Sequence, residues 1–251
     1  MQFSTPGRVH LVITNPTGSV TIEAIPTDLT VVTVDGASST SEPVEIDHHD
    51  NNGVHTVTIN APRPRGRGRL FGMMSQDITI TVQVPEGASV TMTGASADLT
   101  IRGVIGRVEA KSASGDVRVE RCTGGRLASV SGDVDVKVVA GNCVTQTVSG
   151  DVRIGFLRGD LRGRTVSGDL VLECAAEGEL SVGSVSGDVR IGIQRGSRLV
   201  VDANSASGDL SSEVDLSETA GEGDGPVVDV RVQTVSGDVR LLRVDSAATA
   251  A

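Results

Sequence analysis

The triplet Ser-Gly-Asp occurs seven times between residues 114 and 238, and its spacing constrains this chain more than any other feature. The copies are Gly115-Asp116, Gly132-Asp133, Gly150-Asp151, Gly168-Asp169, Gly187-Asp188, Gly208-Asp209 and Gly237-Asp238, each preceded by Ser. Successive Asp residues lie 17, 18, 18, 19, 21 and 29 positions apart. Ser96-Ala97-Asp98, 18 residues before Asp116, reads as a decayed copy. Thr17-Gly18-Ser19, followed by Val20-Thr21-Ile22, reads as an older one. Self-similarity at a short period marks a stacked repeat, in which each unit buries its apolar face against its neighbours.

The columns around the triplet set the strands. One residue after Asp stand Val117, Val134, Val152, Leu170, Val189, Leu210 and Val239. Three after it stand Val119, Val136, Ile154, Leu172, Ile191 and Leu241, with Ser212 as the exception. The position between is polar except at Val171. Period-two alternation predicts a short strand with one buried face. A second strand precedes the triplet: Val108, Cys143, Leu161, Leu180, Val201 and Val230 stand eight before Asp. Ala110, Leu127, Thr145, Gly163, Val182, Ala203 and Val232 stand six before it. Four before Asp is always Ser or Thr, and three before it is always Val or Ala. The alternation breaks between these two columns, which predicts a bend or bulge and leaves open which of them faces inward.

The expected fold is all-β: a single parallel β-solenoid (β-helix) of about eight coils of 17–21 residues, stacked in chain order. Each coil is a strand, a Ser-Gly-Asp corner, a strand and a second Gly-bearing turn such as Arg158-Gly159-Asp160. The corner glycine is expected to supply a positive φ, and the Asp and Ser side chains to accept from turn N–H groups. Carboxylates stacked at the ~4.8 Å strand spacing repel. Arginines two residues on, as in Asp151-Val152-Arg153, are expected to offset this across rungs.

Residues 1–92 read as an irregular β part that caps the N-terminal end, continuous with the repeat at 93–245, and 246–251 as a disordered tail. Asn51-Asn52-Gly53 predicts a hairpin turn. The stretch Glu218–Pro226 is an acidic, Gly-rich insertion between the last two corners.

Composition narrows the function. The net charge is −10 and the chain has three Phe, no Tyr and no Trp. Nucleic-acid binding needs a basic face and single strands need stacking rings, so nucleic acid is not the expected partner. Glycan-active enzymes need paired carboxylates in a cleft, whereas here the repeat acids form identical columns. The expectation is no catalytic site and no enzyme. Cys122, Cys143 and Cys174, odd in number and unevenly spaced, are expected as reduced thiols, and the chain as a cytoplasmic protein without an integral membrane segment. No cofactor and no metal are expected. Calcium-binding β-rolls use nonapeptide spacing that is absent here. Asp47-His48-His49-Asp50 with His55 reads as a solvated hairpin tip, because His48 and His49 point to opposite faces.

The strongest feature outside the repeat is Arg63-Pro64-Arg65-Gly66-Arg67-Gly68-Arg69, followed by Leu70-Phe71-Gly72-Met73-Met74. Four arginines in an acidic chain, with Phe71 beside them, suit contact with an acidic partner or an anionic lipid surface; the alternative is a loop that only covers an edge.

The [Ser/Thr]-[Val/Ala]-Ser-Gly-Asp-[Val/Leu] motif, the start at Phe3 and the Val84-Pro85-Glu86-Gly87 step together resemble a bacterial putative-adhesin family of unknown function with β-strand repeats. They also resemble the toastrack domains found beside envelope-stress membrane proteins of the Lia and Psp type. The resemblance spans nearly the whole chain. It implies a parallel β-solenoid, often beside or fused to membrane segments. The expected role is a non-enzymatic interaction or scaffold module of bacterial envelope or stress biology, with an unidentified protein partner. A self-assembling, adhesin- or filament-like role is the alternative. It brings no catalytic residues.

Replacing Arg63, Arg65, Arg67 and Arg69 with Ser is expected to leave the fold intact and abolish low-salt binding to anionic liposomes. Co-sedimentation measures it. Equal binding by the variant would remove the arginines from any contact role.

Overall fold

The computed structural model describes residues 1–36, 43–62, 77–212 and 225–245. These residues form strands and turns and no helix. In chain order the strands are β1 (Gln2–Ser4), β2 (Arg8–Ile25), β3 (Leu29–Asp35), β4 (Glu45–Asn51), β5 (Val54–Asn60), β6 (Ile78–Pro85), β7 (Ser89–Lys111), β8 (Val117–Ala128) and β9 (Val134–Val139). There follow β10 (Cys143–Gln146), β11 (Val152–Arg158), β12 (Leu161–Arg164), β13 (Leu170–Gly183), β14 (Val189–Gln194), β15 (Arg198–Ser205), β16 (Leu210–Ser212), β17 (Val227–Thr234) and β18 (Val239–Val244). The chain is therefore all-β, as its columns predict.

Pairing through the repeat is parallel and follows those columns. Before the corner, Gly125, Cys143, Leu161, Leu180, Val230 and Val201 stand in one row across neighbouring strands. After it, Leu99, Val117, Val134, Val152, Leu170, Val189, Val239 and Leu210 form a second row. Side chains from both rows, except Val201 and Leu210 of the last rung, enter one core. A third inward row was not among the columns read from the sequence: Ile105, Cys122, Val139, Leu157, Ala175 and Ile193. It stands six residues after Asp at Cys122, Val139, Leu157 and Ala175, and shifts to seven at Ile105 and five at Ile193, where the pairing has a register irregularity. Gly163 breaks its column because the Leu170 side chain fills the space, 2.5 Å from where a Cβ would sit.

The rungs depart from chain order at the C-terminal end. β17 lies between β13 and β15, and β18 between β14 and β16. The Asp188 rung is thus followed by that of Asp238, and the Asp209 rung stands last.

The N-terminal part is more regular than expected. β2 is a full rung beneath β7, with Thr17, Gly18 and Ser19 beside Ser96, Ala97 and Asp98. β5 and β6 form the next rung, parallel to β2. Antiparallel strands close that end: β4 on β5, β3 on β6, and β1 on β3. The β4–β5 hairpin turns at Asn52 and Gly53, both with positive φ, as the Asn-Gly pair requires.

The corner glycines do not supply positive φ. That role falls to glycines elsewhere, including Gly124, Gly159, Gly178 and Gly196 at the second turn. At the corner glycine is needed for close approach. A Cβ at Gly115, Gly132, Gly150, Gly168, Gly187, Gly208 or Gly237 would meet the carbonyl oxygen of the neighbouring rung at 1.9–2.2 Å.

Two glycines should therefore answer differently to one added methyl. Gly168→Ala is expected to destabilise by about 1–3 kcal/mol through overpacking. Gly183→Ala, whose Cβ would meet nothing within 4 Å, is expected to be neutral or to stabilise by about 0.4–1 kcal/mol. Chemical denaturation of both variants measures the pair.

Candidate functional site

The Ser-Gly-Asp corner is the most repeated chemistry of the chain, and its geometry explains each position. The Ser or Thr four before Asp points inward. Its Oγ accepts from the N–H of the corner glycine in Ser112–Gly115, Ser129–Gly132, Thr165–Gly168, Ser184–Gly187, Ser205–Gly208 and Thr234–Gly237, at 2.8–3.1 Å. Thr147 departs from this: its buried Oγ1 lacks a hydrogen-bond partner. A hydroxyl that satisfies the turn can be buried where an aliphatic side chain would leave the N–H orphaned.

The Asp side chain works between rungs. In each corner the Asp N–H donates to an Oδ1 of the neighbouring Asp. This ladder runs Asp98, Asp116, Asp133, Asp151, Asp169, Asp188, Asp238, Asp209, at 2.8–3.0 Å. The arginines do not offset the carboxylates across rungs as expected. Arg118 and Arg240 reach the Asp of their own rung, at 2.8 and 3.8 Å, and Arg153 pairs with Glu173 instead. These pairs are exposed and contribute little. Each carboxylate within the ladder is held chiefly by the N–H of the next Asp.

With the hydroxyl inward, the residue after it is forced out. Val130, Val148, Val166, Val185 and Val235 are 42–53% exposed. They form a row along the corner edge, which Ala113 and Ala206 continue. The corner serines stand beside it, and the Oγ of Ser114, Ser186, Ser207 and Ser236 donates to a carbonyl of the neighbouring rung. Val166, Val185, Val235 and Ala206 line an open groove of about 710 Å³, with Gly183 and Arg164 also on its lining. The corner thus presents three parallel rows: aliphatic, hydroxyl and carboxylate.

The other residues singled out from the sequence fall elsewhere. Arg63, Arg65, Arg67, Arg69 and Phe71 lie outside the described residues, as do most of the acidic insertion and the tail. Their flanks are placed: Ala61 and Ile78 border the corner position of the β5–β6 rung, beside Thr14 and Gly18 of β2. His48 and His49 alternate in direction, but His55 is buried rather than solvated at a hairpin tip. His55 Nε2 lies 3.1 Å from the Pro6 carbonyl, which can only accept, so this nitrogen carries the proton. Its Nδ1 then accepts from His48 Nε2 at 3.2 Å, and Phe3 packs on His48. Hairpin parity contained this contact, since His48 opposes Val57 and Asp50 opposes His55 on the same face. Among the described residues no three or more His, Cys, Asp or Glu side chains gather as a metal group.

The family model of Toastrack DUF4097 matches residues 9–242. The chain belongs to this family. A toastrack chain is thus built on the stacked corners described above. A solved putative adhesin from Bacteroides fragilis NCTC 9343 aligns over 96% of this chain and 95% of its own, at 12% identity and a TM-score of 0.50. It supports the β-rich fold. A putative cell adhesion protein from Clostridium sporogenes ATCC 15579 aligns over 96% and 94% at 9% identity, with a TM-score of 0.27. A putative adhesin from Parabacteroides distasonis ATCC 8503 aligns over 96% and 95% at 10% identity, with a TM-score of 0.30. No curated protein matches the sequence.

The toastrack core holds Cys122, Cys143 and Cys174 as separate buried thiols. Burial pushes the Cys122 thiol up, and pushes Cys143 up to about 12, helped by its neighbour Cys122. Cys143 keeps its proton in the folded state while the unfolded chain loses it above the ordinary value near 9.0. The folded state then binds more protons, so stability falls as pH rises from about 9 toward 12. All three thiols are expected to resist a disulfide reagent at pH 8 and to react in denaturant. Cys143→Val, which matches Val108 and Val230 in the same column, is expected to reduce the alkaline loss without lowering stability at neutral pH. Denaturation at several pH values checks this.

Proposed function

We propose that this toastrack domain is a non-enzymatic interaction module, a β-solenoid whose corner edge receives a partner protein of the bacterial envelope. The observation that carries the reading is the exposed valine row. A solvent-facing corner position has no need of aliphatic side chains, yet every coil from Ala113 to Val235 places Val or Ala there. A contiguous apolar strip rimmed by polar groups is the usual mark of a protein contact.

The neighbouring rows indicate the partner's chemistry. The valines run parallel to a ladder of eight carboxylates from Asp98 to Asp209, on a chain of net charge −10. A complementary surface carries a row of apolar side chains beside basic ones. Stacked strands repeat at about 4.8 Å, so a β-sheet of the partner, crossed perpendicular to its strands, matches that spacing. The regularity of the carboxylates also favours binding over catalysis. Acid–base chemistry needs two groups in unlike environments, and these stand in equivalent ones. The resemblance to domains beside envelope-stress membrane proteins is the support for a partner at or near a membrane. The separate thiols suit its cytoplasmic side.

The test places a photo-crosslinking residue at Val185 and identifies the captured protein from the envelope fraction of the host. Binding of that protein is then compared with the variant Val166→Lys, Val185→Lys, Val235→Lys. The expected result is at least a tenfold weaker Kd with an unchanged β-sheet circular dichroism spectrum. It should come with strong salt dependence in the parent, because charged rows flank the contact. Equal affinity of parent and variant would refute the corner as the contact.

A further inference from the structure

The two ends of the stack are closed differently. At the N-terminal end β4, the outermost strand on its side, carries Glu45, Asp47, His48, His49 and Asp50, and β1 on the other side is three residues long. Charged and very short edge strands resist pairing with another chain. At the C-terminal end the last rung is β15 with β16, and among the described residues each pairs on one side only, with β17 and β18.

That last rung leaves core positions open. Val201 and Leu210 occupy columns whose other large aliphatic members are 0–1% exposed, yet they are 40% and 52% exposed. Val200, on the outer face of β15, is 51% exposed. Among the described residues the β15 edge therefore joins backbone groups without a strand partner to exposed aliphatic side chains.

The residues along this edge complement themselves. Opposed residues of an antiparallel pair share a face, and opposite charges placed across strands stabilise it. Centred on Val200, two copies of Arg198-Leu199-Val200-Val201-Asp202 oppose Arg198 to Asp202, Leu199 to Val201 and Val200 to Val200. The outer face then carries a reciprocal ion pair on each side of a valine pair. The inner face continues the aliphatic core. Arg198 and Asp202 are both exposed, and Asp202 Oδ1 accepts from the Asn204 amide at 2.9 Å, an exposed bond that a cross-strand arginine can replace.

We propose that the chain forms a two-fold dimer through its C-terminal end, with β15 pairing antiparallel to β15 of a second copy about Val200. One open end and one protected end allow a closed pair and no filament, since head-to-tail growth needs both ends open. The dimer leaves the valine row of the corner free and does not depend on the partner proposed for it.

The experiment is sedimentation velocity of the full chain at micromolar concentration. The parent should sediment at twice the 25.7 kDa chain mass. Arg198→Asp alone sets Asp against Asp, and Asp202→Arg alone sets Arg against Arg. Each is expected to weaken dimerisation at least tenfold, with unchanged circular dichroism. Mixing the two single variants restores both ion pairs and should restore the dimer, and so should the double variant. A role within one chain cannot produce rescue by mixing. A monomeric parent, filaments, or no rescue in the mixture would each overturn the proposal.

Discussion

The hydrogen bond from the N–H of one corner Asp to the side chain of the next is the constraint on which the rest of the stack depends. A corner leaves strand geometry, so its N–H groups lose the regular ladder partners that neighbouring strands supply. An unpaired N–H at every corner would cost about 1–3 kcal/mol where water is excluded. Here the Ser or Thr hydroxyl takes the glycine N–H within the rung, and the Asp carboxylate takes the next Asp N–H between rungs. Together they fix the turn and its register. A one-residue slip would turn every inward side chain to solvent, and the Asp ladder opposes such a slip in each coil. The glycine follows from the same constraint, because rungs this close at the corner leave no room for a Cβ.

Register and class were legible because they depend on side-chain type at fixed spacing. Val117, Val134 and Val152 announce an inward column by recurring beside Asp, and the structure places them so. The direction of the residues before the corner was not legible. Period two breaks there, and hydropathy ranks Val130 as the buried residue and Ser129 as the exposed one. The reverse holds because hydrogen-bond satisfaction outweighs aliphatic burial at a turn. The exposed valine row was thus visible as a composition rule but not as a surface. The role of the corner glycine was misread for a related reason. Sequence shows that a Cβ is excluded, but not whether φ or a neighbouring rung excludes it.

The β2 rung shows how far the pattern can decay and still be used. Thr17-Gly18-Ser19 has lost the carboxylate, yet it stacks on Ser96-Ala97-Asp98. Inward Val20 and Ile22 keep the columns that carry the burial. The cap strands β3 and β4 have no repeat to follow: among the described residues β4 pairs only with β5, and β3 lies between β6 and the three-residue β1. Their irregular sequence reflects that looser demand. The His48–His55 contact belongs to this cap and is set by hairpin parity rather than by the repeat.

The exchange of the last two rungs has a physical reason in the same columns. Stacking in chain order would leave β17 and β18 at the open end, with Val232 and Leu241 in two of the inward positions. The observed order puts β15 and β16 there, with Ala203 and Ser212 in those positions. Val over Ala and Leu over Ser amount to about four or five carbon groups. At roughly 0.8 kcal/mol per buried CH₂, and with the end rung still half covered, the exchange favours the observed order by about 2 kcal/mol. The step past one rung falls between β14 and β15, and β17 with β18 return to the skipped place. Ser212, the one polar member of its column, is therefore no lapse in the repeat. It marks the coil that ends the core, and the aliphatic residues that coil still exposes, Val200, Val201 and Leu210, are the ones an end-to-end contact would cover.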